Sequence, residues 1–318
     1  MMKNANTTSA GPADADTPLP VIGIVGAGRI GLGWAVWYHY RGYRVVLTST
    51  EPDPGAVLAA KIEAAAEPMA ILGLAPNAAA DAVTVVPTIG EVGAAADIVH
   101  ECVPEKLELK RDVFRQLDAS AGPDTLLLSS CSSLLMTDIQ AGFDGASRMA
   151  TAHPLEPAEY MPLVEIAPGK ATSRTTMDRV DAAIAASGRS VLRMKTEMEV
   201  LIANRLHTAI LREAFWMIGQ REATPDQIDQ AVTRGIGRRY AISGPLFNMD
   251  IAGGDAGIGG MLESFSTEDL PDFMRRVIVR HFERVRKARG PAERARDRDL
   301  ALAHVLAAIA DAPDPHSA

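Results

Sequence analysis

Cysteine is scarce in this chain of 318 residues: there are two, Cys102 and Cys131. Two isolated thiols build neither a disulfide framework nor a multi-cysteine metal site, and no His/Cys cluster has zinc-ligand spacing, so no metal is expected. Long apolar runs are missing as well. No segment reaches about 18 uncharged apolar residues, the length a membrane-spanning helix needs. Residues 1–18, rich in Ala, Thr, Asn, Asp and Pro, lack the apolar core of a secretory signal and read as a disordered tail. Positive charge is not in excess either: the formal charge is −8, which argues against general attraction to nucleic acid or to anionic membranes. The basic stretch from Arg275 to Arg298 reads as the solvated face of a helix. No serine sits in a G-x-S-x-G elbow. What these absences leave is a soluble, cytoplasmic protein whose partner is a small molecule, and 47% hydrophobic content suffices to bury the cores of two domains.

What is present is an alternation. Leu19 to Val25 is a compact apolar run ending at Gly26 and predicts a buried parallel strand. Ile30 to Tyr40 predicts a helix that Gly42 is placed to end, and Tyr43 to Thr48 a second strand. A helix over Gly55 to Leu72 and an alanine-rich connection follow. Strands are predicted near Val83 to Val86, Asp97 to Cys102, Thr125 to Leu128, Arg148 to Ala152, Leu163 to Ile166 and Ser190 to Met194, with a helix near Thr175 to Ser187. After Lys195 the pattern turns helical, with Glu199 to Gly219 and Pro225 to Val232 as the first segments. The expected organisation is one α/β domain over 19–196 and a mostly helical domain over 197–314. No internal repeat has a fixed period, and Gly253 to Gly260 reads as a functional or helix-joining turn.

Gly26-Ala27-Gly28-Arg29-Ile30-Gly31 matches G-x-G-x-x-G between a predicted strand and a predicted helix. In that setting the first glycine allows a tight turn, the second lets the backbone approach a pyrophosphate, and the third permits close packing of helix on strand. Backbone N–H groups at the helix start then favour the anion. The second strand of such a unit normally ends in an acid that accepts hydrogen bonds from the adenosine ribose of NAD. Here Ser49 holds that position by count and Glu51 follows two residues on. NAD is the expected cofactor. NADP stays open, because small hydroxyl residues with Arg29 or Arg44 nearby suit an extra phosphate.

Oxidising an alcohol needs a base for the hydroxyl proton while hydride leaves the carbon, and a neutral histidine suits pH 7. His153, at the end of a predicted strand, is the candidate, and a turn between strands would let Glu165 accept its other ring proton and fix the tautomer. The alternative is a structural histidine and a surface glutamate. Ser129 to Ser133 places hydroxyls at the carboxyl edge of the sheet, where ligands bind, or serves only as a turn and helix cap. Asn204 offers an amide to substrate or nicotinamide, or a structural hydrogen bond between helices. Arg239 suits a substrate carboxylate through two hydrogen bonds, or an ion pair of the helices.

These pieces, in this order, resemble the 3-hydroxyacyl-CoA dehydrogenase superfamily over about Val21 to Phe265, and within it the small-substrate branch of carnitine and gulonate dehydrogenases and lambda-crystallin. The strings that carry the likeness are Glu101-Cys102-Val103-Pro104-Glu105 with Leu107 to Lys110, His153-Pro154, Pro162 to Glu165, Asn204-Arg205-Leu206, Gly237 to Tyr240, and Ile251 to Gly257. The resemblance implies a Rossmann-like dinucleotide-binding domain followed by an all-α dimerisation domain, hence a homodimer. It also implies that Ser132, His153, Glu165 and Asn204 are the catalytic set and that Glu105 and Lys110 lie near the nicotinamide. The activity implied is interconversion of a small 3-hydroxy acid and its 3-oxo form. A thioester dehydrogenase and a catalytically silent, crystallin-like protein are the alternatives. The chain departs from the pattern at Ser49, at Cys131, where threonine is usual, and at Glu156, where the His-Pro-x-Asn-Pro motif has asparagine. Glu156 adds a carboxylate beside the histidine, suited to a cationic substrate group, to raising the pKa of His153, or to altered chemistry.

Overall fold

The computed structural model describes residues 18–79, 81–264 and 270–310. The tail expected over 1–18 lies, apart from Pro18, outside the described residues. The first strand, β1 (Ile22–Val25), starts later than the apolar run suggests. Pro18 and Pro20 carry no N–H for a ladder, and the Val21 N–H donates instead to Asp97 Oδ2 at 2.8 Å. Helix α1 (Arg29–Tyr40) follows. It closes as the sequence predicts: Gly42 takes φ +84° while its N–H bonds to His39 O and that of Tyr43 to Tyr38 O, a Schellman turn that only glycine enters without strain. Then comes β2 (Val45–Thr48).

The helix expected over Gly55 to Leu72 is two, α2 (Pro54–Ala64) and α3 (Ala66–Ile71). Pro68 explains the break, since it has no N–H for the carbonyl of Ala64 and its ring crowds that carbonyl. After β3 (Val83–Val85), helix α4 (Ile89–Ala95) lies between two predicted strands, where no element is predicted. Its signal is the capping box, in which the Thr88 side chain accepts the Glu91 N–H and Glu91 reaches back to the Thr88 N–H. β4 (Ile98–Glu101) leads to α5 (Leu107–Ser120), also absent from the sequence reading. Its buried residues Lys110, Val113, Phe114 and Leu117 keep helical spacing, but a lysine on the apolar stripe disguises it. The unit continues with β5 (Leu126–Ser129), the short α6 (Met136–Ile139), β6 (Met149–Pro154), β7 (Leu163–Pro168), α7 (Arg174–Ala186) and β8 (Ser190–Arg193).

The eight strands form one sheet in the order β3-β2-β1-β4-β5-β6-β7-β8. All neighbouring pairs are parallel except β6 with β7. Alternation along the strands sends Ile24, Leu47, Ile98 and Leu128 to one face, with Trp34, Leu58 and Val180 from the helices. Val25, Val46, Val99 and Leu127 go to the other, with Val92, Phe114 and Leu117. This is a doubly wound, Rossmann-like sheet, and its strand order reverses between β1 and β4, where a crevice opens at the carboxyl ends.

The chain divides into two units, one through Thr208 and one from Ala209, and the division falls inside α8 (Ile202–Gly219). The second unit is helical: α9 (Pro225–Ala231), a π-helical turn over Val232–Ile236, α10 (Gly237–Tyr240), α11 (Pro245–Ala252), α12 (Gly257–Ser264), α13 (Asp272–Ala288) and α14 (Pro291–Ala310). The glycine-rich segment from Gly253 is the turn between α11 and α12. Buried Asp250 ties it down, accepting the Ile258 N–H at 2.9 Å and pairing with buried Arg294 at 2.7 Å. Among the described residues no helix is long and apolar enough to cross a membrane, and no cluster of metal-ligating side chains occurs.

Candidate active site

The glycine loop lies at the carboxyl end of β1. Gly26 takes φ +107°, in the left-handed region that a side chain resists. At Gly31 a Cβ would lie 1.9 Å from the Gly26 carbonyl oxygen, so α1 seats on the turn only because that side chain is missing. At Gly28 a Cβ would meet nothing within 4 Å. The space beside the middle glycine is therefore open, and Gly28 caps α1 with no side chain to accept the first N–H groups. Open space and uncapped donors at a helix start fit a pyrophosphate. Ser49, just past β2, accepts the Ala27 N–H and the Glu51 N–H, each at 3.2 Å. Its hydroxyl thus braces the loop and retains its own proton for donation, while Glu51 is exposed.

Gly31→Ala is expected to push α1 off the turn, costing about 1–3 kcal/mol of stability by overpacking and weakening cofactor binding by at least about ten-fold. Thermal unfolding together with calorimetric titration of NAD+ checks this; unchanged cofactor affinity would contradict it.

A cavity of about 280 Å³ lies against this loop. Ile30, Glu105, Lys110, Ser132, His153, Glu156 and Asn204, all singled out in the sequence, line it together with Cys102, Ser130 and Pro154. His153 does not merely end a strand: β6 runs through it to Pro154, in antiparallel register opposite Glu165 of β7. Register puts the two side chains on one face, and His153 Nδ1 lies 3.2 Å from Glu165 Oε2. Glu165 is fully buried, and its other oxygen accepts the Ala203 N–H at 3.0 Å. One carboxylate therefore fixes both the imidazole and the first turn of α8, which carries half-buried Asn204. With Nδ1 engaged, Nε2 is the ring nitrogen left for a ligand.

Beneath the cavity is a network that the sequence reading missed in part. Lys110 on α5 is 1% exposed and Glu101 on β4 not at all. Lys110 Nζ donates to both Glu101 oxygens, at 2.9 and 3.1 Å, and to Val103 O at 3.1 Å. Glu101 also accepts the Val103 N–H and the Ser129 hydroxyl. Burial works against the Lys110 ammonium, but the adjoining Glu101 carboxylate outweighs it and holds the lysine above its ordinary range. Glu105, on the segment before α5, spends one oxygen on the N–H groups of Ser132, Ser133 and Leu134, and its other oxygen is 3.9 Å from Lys110. Partial burial would raise the Glu105 pKa, yet those N–H groups and Lys110 pull it below the usual carboxylate range. The visible signal for Glu101 is an acid near the end of the predicted strand through Ile98-Val99, which a buried position obliges to find a cation.

Burial pushes the Cys102 thiol up to about 12, so it is protonated at neutral pH and is no nucleophile. Cys131 is buried, its thiol donating to Leu134 O at 3.4 Å. Glu156 is exposed at the cavity edge and pairs with Arg29 of the glycine loop, Oε1 to Nε 3.1 Å. Arg239 stands on α10 in the other unit, exposed, with no carboxylate within ion-pair distance among the described residues.

Residues 21–197 match the family model of the 3-hydroxyacyl-CoA dehydrogenase NAD binding domain, and residues 201–290 that of the 3-hydroxyacyl-CoA dehydrogenase C-terminal domain. The chain is 36% identical to an L-carnitine dehydrogenase of Streptomyces griseus, across 96% of this chain and 95% of that one. To an L-carnitine dehydrogenase of Pseudomonas aeruginosa it is 31% identical, across 94% and 97%. Among solved structures it is similar to 5-formyl-3-hydroxy-2-methylpyridine 4-carboxylic acid 5-dehydrogenase, an NAD+-dependent dismutase, with a TM-score of 0.71, 29% identity, and 80% and 82% of the two chains covered.

Proposed function

The chain belongs to the 3-hydroxyacyl-CoA dehydrogenase family, nicotinamide-dependent oxidoreductases of CH–OH groups, and we propose that it interconverts a small, carnitine-like 3-hydroxy acid and its 3-oxo form. The observation that carries this reading is the His153–Glu165 pair, set by cross-strand register in a polar cavity against the glycine loop. NAD, when bound, supplies the hydride acceptor. His153 Nε2 takes the hydroxyl proton, and Glu165 holds the imidazole in the tautomer that leaves that nitrogen free and stabilises the imidazolium that forms. Ser132 and Asn204 hold the substrate oxygen. Glu105 and Lys110 border the nicotinamide side. Glu156 is the counter-charge for a cationic substrate group.

NAD is favoured over NADP because Ser49 is spent on the Ala27 and Glu51 N–H groups and its one remaining proton suits a ribose hydroxyl. A homodimer is supported by the apolar side chains that α8 leaves exposed, Leu206, Ile210, Phe215 and Trp216. Two unpaired thiols are in keeping with the cytoplasm.

The test is formation of reduced nicotinamide, followed by absorbance with NAD and NADP separately, against L-carnitine, L-gulonate, 3-hydroxybutyrate and 3-hydroxybutyryl-CoA. Turnover of a free acid with NAD is expected, carnitine foremost. Turnover of the thioester alone replaces the reading with a thioester dehydrogenase. Silence throughout, with cofactor tightly bound, replaces it with a non-catalytic protein.

A further inference from the structure

Two charged residues meet where the glycine loop borders the cavity. Arg29 is the first residue of α1, next to the open space at Gly28, and its side chain is 86% exposed. Glu156 follows β6, two residues beyond Pro154, and lines the cavity with His153 and Asn204. Their contact, Nε to Oε1 at 3.1 Å, joins the loop that fits a pyrophosphate to the segment that carries the reacting histidine. An ion pair this exposed shifts an equilibrium by a factor of at most about five, so it yields readily to a stronger anion. The N–H groups at the start of α1 draw such an anion to the same place.

We propose that Arg29 is exchanged between two anions: it pairs with Glu156 before the cofactor arrives and with the pyrophosphate afterwards, which frees the Glu156 carboxylate in the cavity. The exchange favours cofactor first and cationic substrate second by that same factor of at most about five. By linkage a cationic substrate tightens the cofactor by the same factor as the cofactor tightens it. The use made of the freed carboxylate rests on the carnitine-like reading above; the exchange itself does not.

A double-mutant cycle on NAD+ affinity, measured by titration calorimetry on the full chain without substrate, tests the exchange. Glu156→Gln removes the competing anion and is expected to tighten NAD+ by about two- to five-fold. In an Arg29→Met background the same change is expected to leave affinity where Arg29→Met alone puts it. No tightening in the first case overturns the proposal, as does equal tightening in both, which marks general repulsion between a carboxylate and the dinucleotide. A second titration, of L-carnitine into protein with and without saturating NADH, reads the consequence: carnitine is expected to bind tighter with NADH in the native chain and to lose most of that gain in Arg29→Met. If carnitine binds in neither state while the NAD+ cycle behaves as expected, the substrate reading falls and the exchange stands.

Discussion

Replacing His153 with glutamine is expected to lower kcat by about 10²–10⁴-fold, the range a positioned general base contributes, while NAD+ affinity stays within about two-fold. The asymmetry follows from the architecture. The glycine loop is built from β1, α1 and the Ser49 hydroxyl, none of which contacts His153 through a hydrogen bond. Glu165→Gln is expected to cost a similar factor for a different reason. The amide cannot stabilise the imidazolium, and if its NH2 faces Nδ1 it forces the proton to Nε2, the nitrogen that must accept. The two effects share one path, so the double variant should be scarcely worse than His153→Gln alone. Single-turnover hydride transfer, followed by nicotinamide absorbance, separates this from slow product release. A His153→Gln protein within ten-fold of the native rate, or a double variant whose losses multiply, would show that proton removal runs through another group.

The sequence carries the sheet and the glycine loop plainly because both rest on local physics. The strands are short apolar runs, the first of them ends at Gly26, and G-x-G-x-x-G sits where β1 gives way to α1. It carries less where position depends on a distant partner. The segment over Arg148 to Ala152 is legible as a strand, but its continuation through His153 and Pro154 depends on pairing with β7, a long-range ladder that no local pattern announces. Helix α5 hides because its stripe includes Lys110, polar by composition and buried by virtue of Glu101. Glu101 is hidden in turn: it stands in one of the strings that carry the family likeness, yet its work appears only once Lys110, Ser129 and the Val103 N–H are seen around it. Arg29 and Glu156 are each legible as a residue of interest, but their contact joins segments far apart in the chain and belongs to the fold alone.

That hidden pair gives the largest expected effect on stability. Glu101→Gln leaves the Lys110 ammonium buried with no carboxylate nearer than Glu105 at 3.9 Å and a hydrogen bond to the neutral Val103 carbonyl, and breaking a buried pair on one side costs about 3–5 kcal/mol. Lys110→Met should cost as much by stranding Glu101. Removing both, as Glu101→Gln with Lys110→Met, should cost clearly less than the sum, since no uncompensated charge remains. The pH dependence separates a charge effect from lost packing. In the native chain Lys110 titrates above its unfolded value; its contribution is complete below the ordinary lysine pKa of about 10.4 and is lost only as pH rises past that point. In Glu101→Gln the burial that opposes the ammonium acts with little counterweight, so the folded pKa drops below the unfolded one. The unfolded state then binds more protons, and stability rises with pH toward about 10. Urea unfolding at pH 7 and pH 9.5 should therefore give a variant that gains stability on going alkaline while the native chain does not. Parallel curves would mean that Glu101 and Lys110 act through packing alone. Because Glu105 faces Lys110 with one oxygen and holds Ser132 to Leu134 with the other, the same variant should loosen the segment that presents Ser132, seen as a KM for the hydroxy acid that rises more than kcat falls.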